Sequence, residues 1–440
     1  VVILAGSGSN GGDAMWAGAA LAARGAAVTA LLLSDAPHAE GLAALLRAGG
    51  RAVPVPDEAA AREAAAQVRT ADLVLDGIVG IGGSGPLRAP AAVLARAALA
   101  GGGVRVAVDL PSGTDPDTGA VPDPQAAFVA DVTVTFGVPK PGLLLMPAAE
   151  HAGVIELVDI GLEPELPDEP ALRLLDAADV ALALPQPGPH DHKYSRGVVG
   201  VAAGSRRFPG AALLCTGAAR RGGSGMTALL ARDPAATAMV VGRFPDVVTT
   251  AAVDADARIR AWVAGPGLGE GSAERDVVLG VLGTPGPVLL DADALRLLAE
   301  EPAVREALAD RAARGGVTVL TPHEGEFARL GFTVGDDRAA AARTASAALG
   351  AVVLLKGATT VIAEPGGRAW VTPLAPAALA TAGSGDVLSG LAGSMLAHAA
   401  AAAALDGGGL DAVGAASTLA AADAVHALAG RLASAGGAPV

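Results

Sequence analysis

Short, almost unbroken apolar runs recur along the chain, and nearly every one ends in glycine, a carboxylate or a lysine. In the first half these are Val1–Ala5, Val28–Leu33, the run 72–76 that closes on Asp76, Val104–Val108, Ala130–Phe136 and Val154–Ile160. In the second half they are Val198–Ala202, Ala261–Ala264, Val288–Leu290, Val317–Leu320 and Val352–Leu355. Continuous rather than alternating apolar runs predict strands buried on both faces. Longer helix-compatible stretches separate them: from Ala14 to Arg24, Leu42–Ala48, Glu58–Val68 and Val387–His398. Strand and helix in alternation predict an α/β protein with parallel sheets, whose ligand crevices lie at the C-terminal ends of the strands. A Pro- and acid-rich stretch without periodicity, Gly161–Pro170, interrupts the pattern and reads as a linker. The expected organisation is therefore two three-layer αβα domains, 1–160 and 176–440, joined by 161–175.

Composition narrows this picture. The chain has 440 residues, 52% of them hydrophobic but only 2% aromatic, so its cores must be built from Ala, Val and Leu. A formal net charge of -14 argues against nucleic-acid binding and against an anionic membrane surface, so anionic ligands need local sites. The Ala-rich runs are expected to be broken by Gly, Pro or charge before they span a bilayer, and no membrane association is expected. Cys215 is the only cysteine, which excludes an intramolecular disulfide and a cysteine-based zinc cluster and fits a reducing, cytoplasmic compartment. The chain opens in the middle of a buried-strand pattern, so upstream residues are expected. His190 and His192 have no third ligand near them in sequence, which leaves a metal site there the weaker reading.

The loops after the strands carry the chemistry. Gly6–Asp13 is a Gly-rich turn between a strand and a helix, a phosphate-type loop that does not match the strict dinucleotide spacing. Asp76, Asp109 and Ser112 follow later strands and converge toward Asn10, where oxygen ligands suit a hard cation or a sugar. Each of these residues alone also fits turn or capping duty. In the second half, a strand leading to Lys356-Gly357 and then the turn Gly383-Ser384-Gly385-Asp386 opening a helix is the order expected for phosphoryl transfer. The lysine loop lines nucleotide phosphates, and turn amides with the helix N-terminus stabilise the moving phosphoryl group. Asp386 repels a bare phosphate, but it belongs there if it takes a proton from a hydroxyl.

The first half resembles the epimerase half of the NAD(P)H-hydrate repair enzymes. The stretches that carry the likeness are the glycine loop with Asn10–Asp13, the Asp76 loop, the run from Val108 to Gly113 and the Lys140 loop. The loop departs from the family's usual Gly-Pro-Gly-Asn-Asn-Gly-Gly-Asp at Ser7 and Ser9. The resemblance implies a Rossmann-like domain with its start truncated, in which Asn10, Asp76 and Ser112 hold potassium. It also implies that Ser9, Asn10, Gly11, Gly12, Asp13, Gly80, Gly82, Gly85 and Asp109 contact the hydrated dinucleotide. The second half resembles the ribokinase-like superfamily and, more narrowly, the nucleotide-dependent NAD(P)H-hydrate dehydratases. This likeness rests on His192-Lys193-Tyr194, Gly265–Gly269, the run from Asp291 to Leu295, the run from Thr321 to Glu326, Lys356–Thr360 and Gly383–Asp386. It implies Asp386, Gly383, Ser384 and Gly385 as catalytic, and Lys356, Gly357, Ala358, Thr359, Thr360 and Gly385 on ADP or AMP. Ala211, Gly267, His323 and Asp386 would contact the hydrated dinucleotide, and Glu326 would order magnesium through water. The co-substrate implied is ADP, or ATP, and a homo-oligomer is expected. Vitamin-precursor kinases of the same superfamily carry Asn where this chain has His323, which favours the dehydratase. Two alternatives are a vitamin-precursor kinase fused to a non-catalytic Rossmann-like domain, and a first domain that serves only for binding or dimerisation.

Overall fold

In strand β1 (Val2–Ala5), Val2 and Leu4 enter one apolar cluster while Ile3 and Ala5 enter another, so both faces of the strand are covered. The same parity holds in β9 (Val198–Ala202), where Val199 and Val201 face one cluster and Val198 and Ala202 a second. Two faces buried on every central strand mean helix layers on both sides, the αβα arrangement expected from the uninterrupted apolar runs. The computed structural model describes residues 1–83, 85–253, 258–372 and 375–435. It forms two units, Val1–Pro170 and one that begins at Ala171.

In the first unit, β1 is joined by β2 (Thr29–Leu32), β3 (Arg51–Pro54), β4 (Leu73–Gly77), β5 (Val104–Val108), β6 (Val132–Phe136) and β7 (Val154–Val158). The order β3-β2-β1-β4-β5-β6-β7 is parallel throughout. Helices Ser9–Ala23 and Ala39–Arg47 cover one face, and Glu58–Arg69 with Ala91–Leu99 cover the other. The sequence pattern missed β3, a mostly exposed edge strand that ends in Pro54, a residue tolerated only where no ladder bond is required.

The second sheet comprises β8 (Arg173–Leu174), β9, β10 (Met226–Leu230), β11 (Val248–Thr250), β12 (Ile259–Ala264), β13 (Val288–Leu290), β14 (Thr318–Leu320), β15 (Val352–Leu355), β16 (Val361–Ala363) and β17 (Ala369–Val371). Its order is β11-β10-β9-β12-β13-β14-β15-β16-β17-β8. The expected parallel sheet holds from β11 to β15, but β16 and β17 extend it antiparallel. β8 then pairs with β17, so the end of the stretch read as linker contributes to this sheet. Helices Pro209–Ala219, Ser384–Leu405 and Ala412–Ala435 pack on one face, and Ser272–Leu282, Asp293–Glu300 and Pro302–Ala313 on the other.

The Ala-rich runs do not break as expected. Ser384–Leu405 and Ala412–Ala435 are continuous helices of 22 and 24 residues, long and apolar enough by length and composition to cross a membrane. Asp386 lies in the first turn of the one and Asp406 just past its end, so charge bounds the run without interrupting it. Both are core helices here, with 56% and 50% of their apolar windows buried inside the unit.

Candidate active sites

In the first unit the strand order reverses between β1 and β4, and a crevice opens at their C-terminal ends. The helix after β1 begins at Ser9, so Asn10–Asp13 form its first turns and not a loop. Two buried glycines allow this. A Cβ on Gly11 would lie 2.4 Å from the Gly6 carbonyl oxygen, and one on Gly12 would lie 2.7 Å from the His38 ring. Both therefore serve close packing of the helix onto the strand end and onto its neighbour.

Asp76, fully buried at the end of β4, accepts hydrogen bonds from the Ser112 amide (2.8 Å), the Ser112 hydroxyl (2.7 Å) and the Ile78 amide (3.1 Å). The Ser112 hydroxyl oxygen accepts from the Val79 amide at 3.0 Å, and the Asn10 side-chain amide donates to the Val79 carbonyl at 3.0 Å. Asn10, Asp76 and Ser112 thus meet around Val79. Burial pushes the Asp76 carboxyl up to about 6, against these three hydrogen bonds. None of its partners is positively charged. A buried carboxylate among oxygen donors, without a counter-charge, fits a hard monovalent cation.

Asp109, after β5, has a left-handed backbone (φ 68°), uncommon for a non-glycine residue. Its carboxylate is ion-paired with Lys140. The Lys140 ammonium also donates to the Thr135 hydroxyl and the Phe136 carbonyl, both at 3.1 Å. The loop lysine therefore folds back onto the strand ends. Ser9, Asn10, Asp13, Gly80, Gly82 and Asp109 line a cavity of about 430 Å³. Gly85, Arg88 and Ser112 line a second one of about 540 Å³, which shares the Ile78–Gly80 wall. Ser84 of the same loop lies outside the described residues.

In the second unit, Lys356 at the end of β15 places its ammonium 2.7 Å from Asp291, which follows β13, and 3.7 Å from Glu326. The other Asp291 oxygen accepts from the Ser389 hydroxyl at 2.7 Å, in the turn after Asp386. Gly383 precedes the helix with φ 91°. A Cβ on Gly385 would lie 3.7 Å from the Lys356 ammonium. Gly385, the Lys356 ammonium and Asp386 thus lie together at a helix N-terminus, with the Ser384 amide donating to the Thr381 carbonyl at 3.3 Å. Burial and Asp291 raise the Asp386 pKa to about 6, with Asp293 adding to the rise and Lys356 opposing it. Burial works against the Lys356 charge, but Asp291, Glu326 and Asp386 outweigh it and hold that pKa above its ordinary value.

His323 and Glu326 form a capping box: the ring Nδ1 accepts from the Gly325 and Glu326 amides, and Glu326 accepts from the His323 amide at 2.9 Å. The ring's Nε2 lies 3.6 Å from the Glu326 carboxylate, and the His323 side chain is 57% exposed. Glu326 is held by the cap, is buried, and lies 3.7 Å from the Lys356 ammonium. Asp293 fixes the Gly265–Gly269 loop through the Gly269 amide at 2.8 Å. Gly267 abuts Ala211, and Gly383 abuts Leu214 one turn along the same helix. Along Lys356–Thr360, Gly357 and Ala358 are exposed, whereas Thr359 and Thr360 are buried.

Sequence reasoning assigned no role to Asp291, Ser389, Asp423 or His426. Asp423 and His426, three apart in an Ala-rich helix, were the visible signal: polar residues in a run that could have been all apolar. Among the described residues no group of three His, Cys, Asp or Glu side chains is arranged to hold a metal ion, the His190/His192 pair included. The His192 ring instead accepts from the Tyr194 and Ser195 amides.

The family model described as NAD(P)H-hydrate dehydratase matches residues 199–436. The one described as YjeF-related protein N-terminus matches residues 1–142. The chain is 47% identical over 399 residues to the bifunctional NAD(P)H-hydrate repair enzyme of Mycobacterium tuberculosis, covering 90% of this chain and 78% of that one. To the enzyme of the same name from Corynebacterium glutamicum it is 34% identical over 471 residues, with the same coverage of 90% and 78%. A ribokinase-like superfamily protein from Enterococcus faecalis matches in fold, with a TM-score of 0.51 at 22% identity, covering 60% of this chain and 89% of that one.

Proposed function

Since the chain belongs to the bifunctional NAD(P)H-hydrate repair enzymes, we propose that its first unit interconverts the R and S epimers of hydrated NADH and NADPH, and that its second returns the S epimer to NAD(P)H at the expense of ADP. The observation that carries this is Asp386: a carboxylate of raised pKa in the first turn of a helix, beside Lys356, behind a glycine turn. Hydroxide is a poor leaving group and phosphate a good one. Asp386 takes the proton of the hydrate hydroxyl while that oxygen bonds to the β-phosphorus of ADP and the bond to AMP breaks. Gly383–Gly385 amides and the helix N-terminus stabilise the transferring group. Loss of phosphate from the ring carbon, with loss of a proton from its neighbour, yields NAD(P)H, AMP and phosphate. Lys356–Thr360 hold the nucleotide, chiefly through the Lys356 ammonium and the exposed backbone of Gly357 and Ala358. Ala211, Gly267 and the exposed His323 ring contact the hydrated dinucleotide. A magnesium ion, if held through water by Glu326, would neutralise phosphate charge there.

In the first unit, Asn10, Asp76 and Ser112 would hold potassium, which would neutralise Asp76 and fix the β4 loop against the ligand. Asp13 and Asp109 face the same cavity, where either carboxylate can act as a proton acceptor, and Lys140 holds Asp109 from behind through their ion pair. The chemistry of both units belongs with a cytoplasmic pool of reduced cofactor.

The test is to mix the protein with hydrated NADPH, ADP and magnesium and follow absorbance of the reduced nicotinamide. Regeneration that yields AMP and disappears in Asp386→Ala is expected. Consumption of both epimers faster than they exchange spontaneously reports a working first unit. A stable phosphorylated product with ATP converted to ADP would indicate a kinase instead, and no regeneration with either nucleotide would overturn the reading.

A further inference from the structure

The Ala412–Ala435 helix packs an almost purely aliphatic face, Ala415 to Ala422, into the core of the second unit. Asp423 and His426 follow on it, only 6% and 8% exposed. Alanine at both positions would extend the same core, and burying ionisable groups is unfavourable unless every one of them is held. They are held, by two segments of the proposed site. The Thr372 hydroxyl donates to Asp423 at 2.6 Å, and Thr360 also hydrogen-bonds that carboxylate. His426 hydrogen-bonds the backbone of Ser384 in the sense that favours a protonated ring, so the ring N–H donates and the carbonyl accepts.

Thr360 closes the Lys356–Thr360 stretch, and its carbonyl accepts from the Thr372 amide at 3.0 Å. Ser384 lies in the middle of the phosphoryl turn, between Gly383 and Gly385. The same helix also supports the segment just before that turn: a Cβ on Gly430 would lie 2.7 Å from Leu379. A single buried helix thus touches both the nucleotide stretch and the turn that must meet the transferring group.

We infer that Asp423 and His426 are positioning residues for phosphoryl transfer: they lock the Ser384 turn to the Thr360–Thr372 pair, so that the turn amides and Asp386 stand in line with the bound nucleotide. This rests on the phosphoryl-transfer reading of the second unit. Phosphoryl transfer depends on alignment more than on bond-making groups, and misplacement of about 1 Å can cost about a hundredfold in rate. The two residues divide the task. His426 governs the turn, and hence kcat. Asp423, through Thr360 and Thr372, governs the nucleotide stretch, and hence the KM for ADP.

The experiment uses the full chain with hydrated NADPH, ADP and magnesium, comparing wild type, His426→Ala, His426→Gln and Thr372→Val. Epimerisation by the first unit serves as internal standard for the amount of protein. His426→Ala is expected to lower kcat about 10- to 100-fold with both KM values within about twofold, and His426→Gln, which keeps an N–H donor, to recover most of that loss. Thr372→Val, which removes one hydroxyl from Asp423, is expected to raise the KM for ADP severalfold with kcat nearly kept. If wild type itself does not regenerate NADPH, the phosphoryl-transfer reading is at fault. If wild type works and His426→Ala retains kcat, or if Gln rescues nothing, the inference is wrong. Should His426→Ala fail to fold, an unchanged KM for ADP in Thr372→Val overturns it equally.

Discussion

Asp386 is half-buried, and its pKa of about 6 follows from burial and Asp291 outweighing Lys356. A base must be ionised to accept the hydrate proton, so kcat/KM for dehydration is expected to fall about tenfold per pH unit below about 6 and to level off above it. Lys356→Met removes the one charge that opposes the rise, so the acid limb of the profile should move to higher pH while overall activity drops. A profile that stays flat down to pH 4.5 would exclude Asp386 as the base. The residues that end strands were legible in the sequence because a parallel sheet brings all such ends to one edge. Asp76 and Ser112 meet Asn10 for this reason, as Lys356 meets Asp291, whereas Gly385 and Asp386 come to Lys356 from the start of the Ser384–Leu405 helix. Their partners were not legible. Lys356 pairs with Asp291 across β14, and Asp109 takes up Lys140 from the loop after β6, choices that depend on strand order and on where a flexible side chain folds back.

Among elements, strands with long apolar runs announced themselves, whereas β10, buried on both faces but interrupted by Thr227, and several short strands did not. The edge strand β3 and the antiparallel β16–β17 pair are short and carry no run long enough to stand out. The Ala412–Ala435 helix shows no apolar stripe because alanine fills nearly every side of it, and periodicity needs contrast. Small residues also let helices approach closely. A Cβ on Gly390, in the helix that carries Asp386, would lie 2.0 Å from the Cys215 carbonyl oxygen in the Pro209–Ala219 helix. Gly390→Val must therefore push these helices apart, an overpacking cost of about 1–3 kcal/mol. Calorimetry should register it as a fall of several degrees in the transition of the second unit, with loss of dehydratase activity and no change in epimerisation. An unchanged transition would mean that the close approach is dispensable.

At the scale of the whole molecule, two units with separate cores and a net charge of -14 must each attract a polyanionic dinucleotide. The two-part organisation was legible from the linker composition. How each site overcomes the repulsion was not, because it depends on individual buried charges. In the second unit Lys356 lies among Asp291, Glu326 and Asp386, and in the first Lys140 is ion-paired with Asp109 while Asp76 adds buried negative charge, so Arg88 at the neighbouring cavity and a bound cation are left to supply positive potential there. The Asp76 pKa, raised from 3.8 to about 6, sets the sign of the test. Without a cation, its contribution to stability is full below about pH 4 and is lost as pH rises through about 6, when the buried carboxylate must ionise alone. A cation that binds only the folded, ionised form restores it by mass action. Replacing tetramethylammonium with potassium should therefore raise the melting transition of the first unit at pH 7.5 and much less at pH 5, where Asp76 carries a proton. The transition of the second unit is the control and should not move with the exchange. Equal shifts at both pH values, or none, would show that Asp76 does not hold the ion, and the epimerase site would then have to work with the positive charge of Arg88 alone.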